Sequence, residues 1–306
     1  MSPLPAVAIA VLHWQGFSTT RRCLEALFPL EACTADIASV QILLVDNGSE
    51  DGSGAQLKRW IARRKAPGIH FISSPKNLGF AGGHNLAIRF ALKNLAPRYI
   101  WLLNNDTVPQ PDALAQLIRC AEAHPSAALI GSTILDSATG RIQAAGGCRY
   151  YPWISGYRSC LAGQTVERAR RKRVRLDYIA GASLFVQVDY FRVAGLLNED
   201  YFLYFEELDM VRRLPPGKTL YWCRSAVVEH QGGGSMRSRS GERISVYHAT
   251  LSSLHYTRQW HPHCLPTVIA ARLLVKSLWF GCTGRWHLFS PLYRAMGDFL
   301  FGKRSV

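Results

Sequence analysis

Five short apolar runs alternate with helix-periodic segments over the first 131 residues, and this alternation limits the fold more than any other feature of the chain. The runs are Val7–His13 (VAIAVLH), Gln41–Val45 (QILLV), Ile69–Ser73, Tyr99–Leu103 (YIWLL) and Ala127–Gly131. Runs of this length without polar alternation read as strands buried on both faces. Ser18–Leu27, Ser53–Arg64, Gly82–Leu92 and Pro111–Glu122 read as the helices between them, with Ser18 as N-cap of the first and Asp112 near the start of the last. Such alternation predicts an α/β fold with a doubly wound, mostly parallel sheet flanked by helices. Ligands bind such sheets beyond the carboxyl ends of the strands. Polar clusters stand there: Asp46-Asn47-Gly48-Ser49 follows QILLV, and Asn104-Asn105-Asp106-Thr107 follows YIWLL. The two ends are expected to converge on one crevice.

After Ala138 the alternation stops. Turn residues and aromatics dominate Gly146–Gly156, a basic run fills Arg168–Arg175, and an apolar stretch covers Tyr178–Val188. Leu203–Leu214 mixes apolar with acidic residues, and Leu220–His230 reads as a last strand. Gly232-Gly233-Gly234-Ser235 reads as a flexible loop. From about Glu242 the chain reads as basic, aromatic-rich helices, with Tyr247, Leu251, Leu254, Tyr256 and Trp260 on one face. The 306 residues suffice for one large α/β domain with a smaller helical appendage, or for two modest domains. The expected division is 1–240 and 241–306. Leu265–Cys282 is the longest apolar segment; Arg272 and Lys276 inside it argue against a spanning helix and fit an interfacial one. Met1–Ala10 lacks the pattern of a signal peptide, and the eight cysteines form no C-x-x-C pair. Reduced thiols in a cytoplasmic protein are expected.

Net charge narrows the partners: 36 Lys and Arg against 21 Asp and Glu give +15, which favours anions. Each chemistry-bearing group has a functional and a plain reading. Asp106, in a tight turn after a buried strand, can bind a hard divalent cation or cap a helix. Asp46 can accept a hydrogen bond from a base or ribose, or close an Asn-Gly turn. Glu206, Glu207 and Asp209 stand among Tyr201, Phe202 and Tyr204. Apolar surroundings raise a carboxyl pKa and suit Glu207 to general-base work, although acidic residues also favour a helix N-terminus. His230 is a metal ligand or a structural histidine at a strand end. The glycine loop, with Arg237 and Arg239, is a lid over phosphates or a plain connector. Arg168–Arg175 is a solvated loop, or a contact for nucleic acid, phospholipid or a pyrophosphate-bearing acceptor.

Taken in order, several stretches resemble the family 2 glycosyltransferases of the GT-A fold, in particular the bacterial rhamnosyltransferase-like enzymes that build polysaccharides. They are Val11-Leu12-His13-Trp14, Leu44–Gly52 (LVDNGSEDG), Asn77–Asn85 (NLGFAGGHN), Leu103–Thr107 (LNNDT), Ile179–Ser183 (IAGAS), Phe202–Asp209 (FLYFEELD) and Glu229–Gly234 (EHQGGG). They span about residues 7 to 236. The resemblance implies that His13 and Trp14 line a nucleobase pocket and that Asp46 bonds the base. It implies that Asn77, Gly82, Gly83 and Asn85 stand near the ribose and diphosphate, with Asn104 and Asn105 beside them. Asp106 and His230 would hold Mg2+ or Mn2+, and Gly181 and Ala182 would border donor sugar and acceptor. Glu207, with Glu206 beside it, would be the base of an inverting transfer. Two departures from the family stand out: Asn104 where many members carry Asp, and Glu-Glu at 206–207 where many carry Glu-Asp.

The resemblance points first to L-rhamnose moved from dTDP-rhamnose to a glycan or polyprenyl-diphosphate-linked acceptor, at the inner face of the membrane. The alternatives are a UDP-hexose or other donor on the same fold, a non-catalytic sugar-binding relative, and a basic nucleic-acid-binding protein. Carboxylates in the crevice argue against the last. The basic, apolar C-terminal helices fit an anionic membrane surface, or packing on the catalytic core.

Overall fold

The computed structural model describes residues 6–64, 68–232 and 238–302; Gly233, Gly234 and Arg237 of the expected lid lie outside them. The first half runs β1 (Ala6–His13), α1 (Phe17–Thr34), β2 (Ser39–Asn47), α2 (Ser53–Arg64), β3 (Ile69–Ser74), α3 (Gly79–Asn94), β4 (Tyr99–Asn104), β5 (Thr107–Pro109), α4 (Ala113–Ala123) and β6 (Ala127–Asp136). Next come β7 (Ile142–Ala145), β8 (Gly147–Tyr151), β9 (Gly156–Ser159), α5 (Val166–Arg170), β10 (Tyr178–Ile179), β11 (Ser183–Gln187), α6 (Val188–Ala194), α7 (Glu206–Arg212) and β12 (Thr219–His230). The chain closes with α8 (Arg239–Trp260), α9 (Leu265–Ala270), α10 (Lys276–Cys282) and α11 (Phe289–Leu300).

The main sheet has the order β3-β2-β1-β4-β11-β6-β12-β5, with β7 on β6. β3, β2, β1 and β4 are parallel; β11 runs antiparallel between β4 and β6, and β12 is again parallel to β6. A second, antiparallel sheet is β10-β8-β9. The expected α/β fold with a mostly parallel sheet is present.

Side chains of β1 alternate between two cores, as the period of two in a strand requires. Val7, Ile9 and Val11 pack with α1, α2 and α4; Ala8 and Ala10 face α3 and α6. Small residues on that second side let α3 come close. A Cβ on Gly83 would lie 2.4 Å from Leu12 Cδ1, so the helix reaches β1 only through glycine.

Element boundaries differ from the sequence reading where packing overrides local signals. α1 starts at Phe17 behind Gly16 (φ 79°), not with Ser18 as N-cap. α3 starts three residues early, at Gly79, because its Phe80 N–H donates to the Phe202 carbonyl at 2.7 Å. β6 continues to Asp136 because β12 and β7 pair along its extension. The basic run is largely solvent-exposed. The expected single face of α8 is shared between two clusters. Tyr247, Leu251 and Leu254 pack with α9 and α11, whereas Tyr256 and Trp260 join Tyr150, Tyr201 and Phe205.

Candidate active site

Parallel pairing brings the polar turns together. β1 lies between β2 and β4, with His13 in register with Asp46 and Leu12 with Asn104. The end of β12 pairs with β5, setting His230 opposite Thr107 and next to Asp106. A crevice of about 420 Å³ opens above these ends, lined in part by Trp14, Asn47, Asn77, Asn104, Asn105, Asp106 and His230. Phe202, Tyr204, Ile244 and His248 close the opposite wall. A second cavity of about 280 Å³ adjoins it, lined by Gly181, Ala182, Glu206, Glu207, Tyr157 and Tyr178 among others. The two share Phe80, Asn104, Leu203, Tyr204 and His230.

His13 is not in the crevice wall, contrary to its expected place in a nucleobase pocket. It is fully buried beneath the wall, 2.6 Å from Thr20 Oγ1 and 2.8 Å from Ser53 Oγ. The Ser53 hydroxyl proton is taken by Asp51, so Ser53 accepts from His13 Nε2–H, and in the neutral ring Nδ1 accepts from Thr20, which also accepts from Asn105 Nδ2 at 2.8 Å. Burial lowers the His13 pKa against the pull of Asp46 and Asp51, consistent with this neutral ring. The residue therefore ties Asn105 to the loop after β2, and position, not contact, is its contribution.

The remaining expected donor residues divide. Trp14, Asn77, Asn104 and Asn105 line the crevice. Asp46 is half-exposed at its flank; Oδ1 accepts from Ser49 N–H at 3.2 Å, and Gly54 leaves the room that Oδ2 occupies. Gly82 and Gly83 lie within α3 as packing residues, where a Cβ on Gly82 would meet Leu78 Cβ at 2.7 Å. Their expected approach to a diphosphate is not what makes them glycines. Asn85 is buried; it donates to the Leu197 carbonyl and Glu199 and accepts from Leu197 N–H, pinning that loop to α3. These three bonds use both donors of the Asn85 amide.

Asn47 does what the sequence reading left to its neighbours. Its Nδ2 donates to Asn77 Oδ1 and the Gly79 carbonyl, and its Oδ1 accepts from Leu78 N–H. The α3 start is thereby fixed against β2. Gly79 (φ 72°) is required there, since a Cβ would meet the Phe202 carbonyl oxygen at 2.2 Å.

Asp106 and His230 face each other, with Oδ1 3.1 Å from Nε2. The other imidazole nitrogen, Nδ1, lies 2.7 Å from Gln143 Oε1. A carbonyl oxygen only accepts, so Nδ1 carries a proton, and in the neutral ring Nε2 presents a lone pair toward Asp106. The buried Nε2 has no donor. A carboxylate and a bare imidazole nitrogen at this separation fit a shared cation, with Gln143 orienting the ring from behind. No group of three His, Cys, Asp or Glu side chains suited to a metal occurs among the described residues. Water and a phosphate ligand must complete such a shell.

The inner cavity holds the two glutamates. Tyr204 and Phe205 both have positive φ (71° and 77°), a costly pair for aromatic residues. This left-handed turn starts α7 and aims Glu206 and Glu207 into the cavity. Glu206 is fully buried, its Oε1 has no hydrogen-bond partner, and burial followed by the neighbouring Glu207 holds its pKa far above the usual carboxylate range. Glu207 is half-buried and open to the cavity. Burial pushes its pKa up to about 7, against backbone hydrogen bonds at Glu207 itself and Gly181. Gly181 has a steric reason to be glycine: a Cβ there would stand 1.8 Å from Glu207 Oε1. Gly181→Ala is therefore expected to lower kcat by about 10- to 100-fold through displacement of that carboxylate. Steady-state kinetics beside a thermal melt checks this, since the fold should change little.

Gln143, Tyr157, Ile244 and His248 escaped the sequence reading, which took Phe202 only as part of the apolar surroundings of the acidic cluster. Ile244 and His248, four residues apart, form one face of α8, and His248 stacks on Phe202 at 4.3 Å. That spacing was the available signal. Gln143, on an edge strand, had none.

The sequence model described as Glycosyl transferase family 2 matches residues 9–165. The N-acetylglucosaminyl-diphospho-decaprenol L-rhamnosyltransferase of Mycobacterium tuberculosis is 24% identical over 234 residues, covering 68% of this chain and 72% of that protein. The low-salt glycan biosynthesis hexosyltransferase Agl10 of Haloferax volcanii is 24% identical over 175 residues, 56% of this chain; the match spans only about half, 52%, of that protein. Among solved structures, the mannosyltransferase PcManGT of Pyrobaculum calidifontis, in complex with GDP-Man and Mn2+, has a TM-score of 0.56 at 14% identity, covering 99% of this chain and 89% of that one. The matched half of the chain carries β1 to β4 with their polar ends, and the protein belongs to glycosyl transferase family 2, with a GT-A fold.

Proposed function

We propose that the outer crevice holds a nucleoside diphosphate-sugar and that Glu207 deprotonates the acceptor hydroxyl in a single, inverting displacement. The facing pair Asp106–His230, one shared wall away from a carboxyl group poised near neutral pH, carries this reading. Trp14, Asn47 and Asn77 wall the nucleotide end, with Asp46 at its flank to bond the base. Mg2+ or Mn2+ held by Asp106 and His230 would neutralise the departing diphosphate. The acceptor oxygen bonds to the anomeric carbon as the bond to the phosphate oxygen breaks, and the proton passes to Glu207. Burial disfavours the charged form of Glu206, which works against a second negative charge in the cavity. Gly181 and Ala182 border the transferred sugar.

The donor we favour is dTDP-L-rhamnose, with a lipid-linked saccharide diphosphate as acceptor, in keeping with the name of the mycobacterial relative. The haloarchaeal relative, named a hexosyltransferase, favours a second reading with a UDP-hexose on the same residues. Residues 241–306 are proposed as a helical extension that meets an anionic membrane surface at its cytoplasmic side. Pro262–Cys282 is long and apolar enough to cross a membrane by length and composition. Arg272 at its centre is nevertheless buried against the β8–β9 turn, which favours a surface position.

The test is release of nucleoside diphosphate from a panel of dTDP-, UDP- and GDP-sugars with Mn2+ or Mg2+. Release from dTDP-rhamnose alone is expected; calorimetry showing that no nucleotide binds would end the proposal.

A further inference from the structure

Arg272 and Lys276 lie four residues apart where α9 passes into α10 through the π-helical turn Ala271–Val275. Single π turns within helices recur at functional sites. Arg272 is only 8% exposed. Its Nη2 donates to the Ser155 carbonyl at 2.8 Å, and its buried Nε meets no acceptor. Among the described residues no carboxylate acts on either cation. After burial, the groups felt by Arg272 are the phenols of Tyr150 and Tyr157, and the group felt by Lys276 is Arg272 itself. Burial, then Arg272, brings the Lys276 ammonium down to about 8. A buried guanidinium beside a partly buried ammonium, with no counter-ion among the described residues, is unfavourable for the fold alone, and an anionic ligand would offset that.

Their position relates them to the inner cavity. Tyr157 lines that cavity with Glu207, and its phenol feels both Glu207 and Arg272. The same helical segment carries an exposed apolar surface: Leu274 and Leu278 are each 70% exposed and Trp279 48%. Arg272 is thus bonded to Ser155, two residues before the cavity-lining Tyr157, on a helical segment that also exposes apolar side chains. A saccharide linked through diphosphate to a hydrocarbon chain has the corresponding parts: hydroxyl, anion and lipid.

We propose that Arg272 and Lys276 hold the diphosphate of a lipid-linked acceptor, with its sugar toward Glu207 and its hydrocarbon over Leu274, Leu278 and Trp279. This deepens, and rests on, the lipid-linked acceptor proposed above. A planar guanidinium and a point-charge ammonium together suit a diphosphate's several oxygens.

Farnesyl diphosphate and farnesol are the probes, titrated onto the full chain in EDTA so that no metal at Asp106–His230 contributes. Wild type is expected to bind the diphosphate at least about tenfold tighter than the alcohol, more weakly in salt. Lys276→Gln should remove about tenfold of that affinity, Arg272→Gln as much, and Arg272→Lys less. Should Arg272→Gln fail to fold, Lys276→Gln decides alone. Calorimetry with dTDP, and with UDP, in the presence of Mn2+ on each variant separates loss of the anion site from misfolding. Nucleotide binding together with unchanged farnesyl diphosphate affinity in Lys276→Gln overturns this inference only; absence of nucleotide binding in wild type removes the reading beneath it as well. Equal binding of alcohol and diphosphate by wild type, with Lys276→Gln weakening only the adsorption to phosphatidylglycerol vesicles, would assign the pair to membrane charge and also overturn it.

Discussion

Glu207→Gln is expected to lower kcat about 10³-fold while nucleotide affinity stays within about twofold. The amide keeps the shape of the side chain beside Gly181 and removes only its ability to take a proton. The pH profile should change in parallel. Because burial sets the Glu207 pKa to about 7, wild-type kcat/KM should fall about tenfold per pH unit below 7 and level off above it. The residual activity of Glu207→Gln should lack that limb. Stability supplies an independent readout with the opposite sign. A carboxyl group held at about 7 in the folded chain, against a usual 4.5, binds its proton more tightly when folded. Its contribution to stability is thus fully present below about 4.5 and is lost as pH rises through about 7. The amide does not titrate, so at pH 8 Glu207→Gln should be the more stable protein, by about 1–3 kcal/mol. Glu206→Gln should gain stability too, with a smaller loss of turnover, because Glu206 is fully enclosed. A Glu206→Gln variant as inactive as Glu207→Gln would move the base to the other carboxylate.

Asp106→Ala is expected to reduce metal-stimulated transfer by about 10³-fold, the loss of several kcal/mol of charge stabilisation at the leaving group. His230→Ala should do nearly as much. Metal titration distinguishes this from general damage: both variants should need far more Mn2+, and nucleotide binding in EDTA should match wild type. Gln143→Leu should lie between, with about 10- to 100-fold weaker metal affinity, since it removes the group that turns the His230 ring. Activity in EDTA equal to activity in Mn2+ would refute a cation at this pair.

The alternation of buried runs and helical segments fixed the fold class, because a strand covered on both faces has to be apolar throughout. The same pattern put Asn104 to Asp106 and Asn47 at strand ends, where a parallel sheet opens its crevice. Residues whose role follows from position along the chain were therefore legible. Residues whose role follows from the third dimension were not. His13 ends the first strand, yet the hydroxyls of Thr20 and Ser53 enclose it and turn an expected wall residue into a buried tie. Gly82, Gly83 and Asn85 belong to a recognisable motif, but close packing of α3 on β1 and the loop at Leu197 account for them. Gln143 acquires meaning only because β7 pairs with β6 and thereby stands behind His230. Side-chain chemistry and period are local and can be read in order. Which of two adjacent glutamates stays open to a cavity, and which buried cation lacks a counter-charge, depend on burial by segments far away in sequence, and only the tertiary structure decides them.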